Sequence, residues 1–313
     1  MTNPNPSVLA PVGMALETMR RVLFQPFNLL KWLAIGFTAW LAVLEGGIGS
    51  GFNLNPGQWK RDQASQCGQV VWEWVLAHLF FVIPLVILVV IVGFVATLLV
   101  LWLSCRGKFM FLDNVVGNRA EIVEPWHRFR AQGNSCFLFL ICFGLAAAAV
   151  MILGVGLAVL VSWPDLSRSH FGWYAAGAIG LGSVFFICFL VTAMCARAFL
   201  EDFVIPIMAL KSCRVMEGWS IFFDLFRKRA GIFILYLLFR AALSIVIGFI
   251  TLFLCCLLCC TVLIPYVGTV ILLPIYVFWR SYSVHFLGQF NDALKMFEGD
   301  QTSYITLNPK GAC

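Results

Sequence analysis

The sequence predicts an all-α integral membrane protein with six transmembrane helices and amphipathic helices at the membrane interface. Its composition, the length of its apolar runs and the placement of Lys and Arg support this fold class. Of the 313 residues, 61% are hydrophobic and 12% are charged, whereas soluble domains average about 45–50% and about 25%. A soluble fold of this length could not cover so much apolar surface, but lipid can surround it.

The apolar runs are long and unbroken, which favours helices over a membrane barrel built from alternating segments of about ten residues. Each run has at least about 20 residues, enough to cross a hydrocarbon core of about 30 Å. We assign residues 1–290 to a single transmembrane domain and residues 291–313 to a polar C-terminal tail. The six predicted spans cover residues 29–48, 75–103, 136–161, 173–196, 232–253 and 267–286.

The basic residues predict that both termini lie in the cytoplasm. With the N-terminus inside, seventeen of the 21 Lys and Arg residues fall on the inner side and three on the outer side, while Arg240 falls within a span. Loops rich in Lys and Arg stay in the cytoplasm. The net charge of +6 suits contact with anionic lipid headgroups. The sequence has no nucleic-acid-binding motif, so we expect no nucleic-acid partner.

Three polar segments predict amphipathic helices next to spans. In residues 7–24, Ser7 is a plausible helix N-cap, and apolar residues from Val8 through Leu16 to Leu23 recur at helical spacing. Two further apolar stripes surround Trp126 and Trp219. Such helices either lie in the membrane plane on anionic lipid or cap the helical bundle.

An internal repeat is the most informative pattern. The stretches beginning at Arg106 and at Arg197 both follow a span, carry a Phe and an acidic residue, and then contain Glu-x-Trp, which ends at Trp126 and at Trp219. The sixth span also ends at an arginine, Arg280. We interpret the chain as three units, each an interfacial helix followed by a hairpin of two spans. The alternative is that ordinary cytoplasmic loops produce the same pattern.

Four segments carry a resemblance to known proteins: RRVLFQPFNLLKWLAIGFTAWL, RGKFMFLDNVV, LEDFVIPIM and CCTVLIPYVGTVILLPIYVFWRSYS. Over nearly the whole chain, they resemble uncharacterised prokaryotic membrane proteins classed as a domain of unknown function. The general rhythm is also similar to the membrane domain of some glycerophosphodiester phosphodiesterases. The first resemblance implies the cytoplasmic membrane of a prokaryote and no activity. A soluble phosphodiesterase domain is missing, so that chemistry is not carried over.

The sequence shows no catalytic, metal-binding or cofactor motif. The CCLLCC run from Cys255 to Cys260 could hold a soft metal, but no second Cys or His cluster lies nearby in sequence. Packing is the ordinary role of such cysteines, and a disulfide to Cys67 is the sharper alternative. The four histidines have no Ser or Cys partner at a recognisable spacing. We therefore expect no cofactor and no enzymatic activity.

Arg240 is the one basic residue predicted deep in a span. A central Arg costs about 2.5–3.5 kcal/mol on insertion scales, so it either has a function or snorkels past Tyr236 to the headgroups. Glu45 and Glu73 are predicted at the outer ends of the first two spans, within reach of water. The spans thus contain almost no deep acid, which argues against an ion-coupled transporter.

These observations predict a multi-pass membrane protein that binds lipid or another membrane protein without catalysing a reaction. The alternative is a transporter of an apolar or amphipathic substrate. The expected partners are a bilayer with anionic headgroups and a second membrane protein. The candidate functional residues are Arg106, Trp126, Arg197, Trp219, Arg240 and Arg280.

Overall fold

A computed structural model describes residues 6–25, 27–50, 78–167, 172–257, 266–290 and 294–297. Within these ranges the regular structure is entirely helical and includes one π-helical turn, Leu200–Val204, between α6 and α7. The helices are α1 Ala10–Phe24, α2 Leu29–Ser50, α3 Leu79–Val116, α4 Val123–Arg128, α5 Arg130–Ser167, α6 Trp173–Phe199, α7 Ile205–Lys211, α8 Val215–Lys228, α9 Ala230–Leu257, α10 Val267–Ile271 and α11 Leu273–Gly288.

Four helical stretches in the described ranges are long and apolar enough to cross a membrane: Leu79–Val116, Arg130–Asp165, Ala176–Lys211 and Ala230–Leu257. Their apolar side chains mostly point outward, as with Phe80, which is 85% exposed. A face this apolar is stable in lipid and not in water. The structure therefore supports a membrane protein with several apolar helices.

The six predicted spans are not all confirmed. The first prediction coincides with α2, but α2 packs on the last third of α3, where the side chains are buried, and away from the exposed apolar run. The sixth prediction is divided into α10 and α11 at Leu272. Neither α2 nor α11 is among the four candidate spans.

Gly107 allows α2 to approach α3 closely. A Cβ atom at Gly107 would lie 2.6 Å from the carbonyl carbon of Leu41 and 2.7 Å from the amide nitrogen of Ala42. Next to this contact, the Ser104 hydroxyl donates a hydrogen bond of 2.9 Å to the Ala42 carbonyl. Because Gly107 has no side chain, the backbones of α2 and α3 can pack in direct contact beside Lys108.

The N-terminal helix packs on the C-terminal helix. The Ser7 amide donates to the Gln289 side chain at 2.7 Å, and the Tyr282 hydroxyl donates to the Val8 carbonyl at 3.2 Å. The prediction that α1 is amphipathic is correct, but its buried face is rotated relative to the predicted one. Leu16 is 48% exposed, whereas Ala15 is fully buried. The α1–α11 contact holds both ends of the described chain on one side of the molecule.

An aromatic core joins the π-helical turn to α8, α9 and α11. Phe203 stacks on Phe222 with ring centroids 5.5 Å apart, and Phe233 contacts both rings edge to face. Phe222 is fully buried, so the apolar stripe of α8 packs on the protein and caps the bundle. Phe223, next to it, stays 48% exposed.

Two of the three predicted repeat units end their long helices in a similar way. Asn118 follows α3 and Ser212 follows α7, each in the left-handed region with φ near 50°, and a short helix bearing the predicted Trp comes next. The structure does not confirm a threefold repeat. The tail starts against the helical core, since Leu294 is buried and Phe297 stacks on His285.

Candidate functional site

Seven charged side chains from six elements surround a cavity of about 300 Å³. The cavity lies where α2, α3, α6, the π-helical turn, α9 and α11 meet, at the end of the exposed apolar runs. Ala39, Tyr276 and Trp279 complete part of its wall. The charged residues are Glu45, Lys108, Arg197, Glu201, Asp202, Arg240 and Arg280.

Lys108 joins two carboxylates in this cavity. Its ammonium nitrogen lies 2.7 Å from Glu45 Oε1 and 3.0 Å from Glu201 Oε1. The Lys108 side chain is only 5% exposed. A buried ammonium of this kind is tolerated because carboxylates replace the water that it loses.

Arg197 pairs with the same two carboxylates. Its guanidinium contacts Glu45 Oε1 and lies 3.3 Å from Glu201 Oε1, one helical turn further along the chain. Lys108 and Arg197 therefore bind Glu45 and Glu201 as a group of four charges. Glu45 Oε2 is buried without a hydrogen-bond partner among the described residues.

Asp202 forms a second, deeper charged group. Its Oδ2 accepts a hydrogen bond of 2.9 Å from the Tyr236 hydroxyl and lies 3.1 Å from Arg240 Nη1. Arg240 also lies over the Trp279 ring, with 5.7 Å from its guanidinium carbon to the ring centroid. Arg240 is thus paired with an acid inside the structure.

Arg280 has a different environment from the other three cations. Its Nη1 donates to the backbone carbonyl of Glu201 at 2.7 Å. Within the described residues, no carboxylate lies in ion-pair distance of its guanidinium. The cavity has four cations and three carboxylates, so it carries one excess positive charge, and Arg280 is the cation without its own acid.

A second cavity, of about 590 Å³, lies between α3, α5 and α6. Apolar side chains such as Phe139, Phe143 and Leu190 form most of its wall. At one end it reaches Glu45 and Arg197, which also line the charged cavity. An apolar space and a charged space therefore meet at these two side chains.

Arg106 and Trp126 belong to a separate cluster. The Arg106 guanidinium lies 4.2 Å from the Trp102 ring centroid and 4.7 Å from that of Trp126. Both Trp102 Nε1 and Arg106 Nη2 donate hydrogen bonds to Asn134 Oδ1, at 3.1 and 3.2 Å. This cation–π arrangement ties α4 to the α3–α5 hairpin.

Trp219 lies in the wall of the apolar cavity. It stacks on Phe223 at 5.3 Å and contacts Phe139 at 6.0 Å. The six residues predicted from the sequence thus divide into three places. Arg197, Arg240 and Arg280 meet in the charged cavity, Arg106 and Trp126 contact each other, and Trp219 faces the apolar space.

The four other charged residues of the cavity were not predicted as functional. Glu45 was expected at an outer helix end with access to water, opposite Lys108 and Arg197, and this prediction is wrong because it binds both. The expectation that the spans contain almost no deep acid is also wrong. Asp202 is buried against Arg240. An arginine inside a span needs a counter-ion, and this requirement could have pointed to an acid near the end of another span.

Among the described residues, no group of three or more His, Cys, Asp or Glu side chains is placed to hold a metal ion. Cys255 and Cys256 lie in the last turn of α9. Cys67, Cys259 and Cys260 lie outside the described residues, and so does the predicted disulfide. The buried charges are instead paired with one another.

Residues 7–273 match the sequence profile of a family of unknown function, DUF7544. The chain belongs to that family. The match covers α1 to α10 and all charged residues of the cavity except Arg280. It confirms the resemblance to a family of unknown function, and nothing links this family to glycerophosphodiester phosphodiesterases. Searches of curated proteins and of solved structures gave no match.

Proposed function

We propose that this chain is a non-enzymatic, lipid-binding module of a prokaryotic cytoplasmic membrane. The charged cavity with one excess positive charge, lined by residues of three of the four long apolar helices, carries the proposal. A cationic site beside lipid-facing helices suits an anionic headgroup. The charged cavity and the lipid-facing helices together favour a lipid as the ligand, and either feature alone would not.

The pairing of the carboxylates supports a binding role rather than catalysis. The described lining of the charged cavity has no histidine or cysteine. Each of the three carboxylates already contacts a cation. These acids hold Lys108, Arg197 and Arg240 in position, which suits a binding site with fixed cations.

The proposed topology has both termini in the cytoplasm. The contact between α1 and α11 supports a topology in which both ends of the chain lie on the same side of the membrane. Such a topology requires an even number of crossings. The four long helices supply four crossings. Since Val116 lies at the same end of the molecule as α1 and α11, the chain must also cross once before Leu79 and once after Leu257, which gives the proposed count of six. The helix α2 packs beside Lys108 on the last third of α3 and is not assigned as a crossing.

Native mass spectrometry of the protein, extracted gently from its own membrane, tests the proposed function. We expect one or a few lipids retained at fixed stoichiometry. A second protein subunit at fixed stoichiometry, with no lipid, would favour the partner-binding alternative. A bare chain, obtained in conditions where a known lipid-binding membrane protein keeps its lipid, would contradict both.

Transport of an amphipathic substrate is the second candidate, and one observation favours it. Three acids line the charged cavity, and Asp202 pairs with the helix residue Arg240. Buried ionisable residues mark substrate pathways in many transporters. Proteoliposomes with a fluorescent phospholipid test this, because transport moves label between leaflets and binding alone does not.

A further inference from the structure

The two cavities meet at Glu45 and Arg197, and their chemistry changes at that boundary. The charged cavity lies on one side, with Arg240 and Arg280 in its wall. The apolar cavity lies on the other side. A ligand that occupies both must have a charged end and an apolar end. Their volumes, about 300 and about 590 Å³, are of the size of small-molecule sites.

The geometry points to a site for one anionic phospholipid per chain, with its phosphodiester in the charged cavity and an acyl chain in the apolar cavity. This inference rests on the proposed lipid-binding function and names its ligand. It assigns a binding role to Arg280 and a chain-accommodating role to the space beside Gly144.

Charge selects the headgroup. Glu45 and Glu201 neutralise Lys108 and Arg197, and Asp202 neutralises Arg240. The guanidinium of Arg280 is left with a backbone carbonyl as its acceptor. Its remaining N–H groups can bind phosphate oxygens in a planar fork. One excess positive charge matches the single net negative charge of a lipid such as phosphatidylglycerol, whereas the choline of phosphatidylcholine cancels the charge of its own phosphodiester.

The apolar cavity opens toward the exposed faces of the long helices. Leu190 and Met194 line it and are 42% and 70% exposed. A lipid can therefore enter sideways from the bilayer, with no need to extract its acyl chain into water. Burial of each methylene group out of water favours the bound state by about 0.8 kcal/mol, but transfer from bilayer to cavity is nearly neutral, so the headgroup must supply the selectivity.

Gly144 offers a way to fill this cavity. A Cβ atom built on Gly144 has no heavy atom within 4 Å, and Gly144 lines the apolar cavity. Gly156 lies on the same helix, α5, and its Cβ position is equally open. Gly156 is not in the cavity wall. Gly144→Phe and Gly156→Phe are therefore a matched pair that differs in cavity occupancy.

The test is native mass spectrometry of the full chain exchanged into detergent with equal amounts of phosphatidylglycerol and phosphatidylcholine of identical acyl chains. We expect one bound lipid per chain, mostly phosphatidylglycerol. Arg280→Gln should lower the preference for phosphatidylglycerol about tenfold, the usual effect of losing a charged hydrogen bond. Arg280→Lys should restore part of it, since the charge remains and the fork does not. Arg227→Gln, at an exposed α8 arginine, is the control.

Gly144→Phe should lower retention of both lipids about tenfold or more, whereas Gly156→Phe should behave as the unchanged protein. Equal retention of the two lipids, unaffected by Arg280→Gln, would overturn this inference and leave lipid binding intact. Retention of neither lipid by the unchanged protein would contradict the proposed function itself. Binding of added inorganic phosphate that depends on Arg280 but not on position 144 would indicate a free anion as the ligand. Variants are compared only after size-exclusion chromatography shows a folded monodisperse protein.

Discussion

Arg240 of the membrane helix α9 and Asp202 of the π-helical turn form an ion pair of 3.1 Å. Tyr236, one turn before Arg240, donates a hydrogen bond to the same carboxylate oxygen. The pair therefore joins the end of α6 to the fifth predicted span, and it explains how an arginine is accommodated there. A buried pair contributes less to stability than its Coulomb energy suggests, but breaking it leaves one unpaired charge.

Arg240→Leu should lower the free energy of unfolding by about 2 kcal/mol, less than the ~3–5 kcal/mol typical of fully buried pairs, because Arg240 is 26% exposed. Adding Asp202→Asn should recover part of this loss, since no unpaired charge then remains. Unfolding in detergent, monitored by tryptophan fluorescence, measures the stability of the unchanged protein, of Arg240→Leu and of the double variant. If the double variant is less stable than Arg240→Leu alone, the charge pairing does not account for the effect.

Lys108→Met should destabilise the protein more, by about 3 kcal/mol or more, because Glu45 and Glu201 would keep Arg197 alone as a partner. Lys228→Met, at an exposed position on α8, is the control and should change stability by less than about 0.5 kcal/mol. Thermal unfolding in the same detergent compares the two. Similar values for both variants would contradict the role of Lys108 as the central cation.

Three of the seven charged residues of this cavity were predicted from the sequence. The other four were missed because a charge is easy to recognise only where the surrounding sequence is strongly apolar. Arg197, Arg240 and Arg280 stand at or inside hydropathy maxima, where a charge is conspicuous. Glu201 and Asp202 follow the end of such a maximum and look like loop residues.

A π-helical turn has no sequence signature of its own, so its continuation of α6 could not be predicted. Glu45 was misplaced because orientation was inferred from Lys and Arg alone. That rule assigns each loop to one side of the membrane but does not predict which helices contact each other. The four long apolar helices were predicted, because apolar runs of this length favour a helical backbone in lipid.

Gly107→Ala should destabilise the protein by about 3 kcal/mol, because its Cβ would meet backbone atoms of α2 that cannot rotate away. Gly93→Ala is the control on the same helix, where a Cβ meets nothing within 4 Å. That change should leave stability equal or raise it by up to about 1 kcal/mol, since Ala favours helix over Gly. Gly107→Ala should also weaken lipid retention, because α2 carries Glu45. Equal stability of the two variants would mean that α2 does not pack as described.

The Arg106–Trp126 contact should make a smaller contribution. Trp126→Leu removes one of the two rings that face the guanidinium and should cost about 1 kcal/mol, while Trp126→Phe should cost less because an aromatic face remains. Trp173→Leu, at a side chain that is 92% exposed, controls for loss of a tryptophan. If Trp126→Phe and Trp126→Leu are equally destabilising, the loss comes from packing and not from the cation–π contact.

The topology predicts which epitope tags a protease can reach in intact spheroplasts. Tags at both termini, and between Gly117 and Ile122, should be protected until the membrane is permeabilised, since these positions share one end of the molecule. A tag between α5 and α6 should be digested at once, because α5 and α6 pack as an antiparallel hairpin that leads away from that end. A tag in residues 51–77 decides the first crossing. Digestion there supports a chain that crosses before Leu79, and protection would remove that crossing and, with it, the proposed count of six.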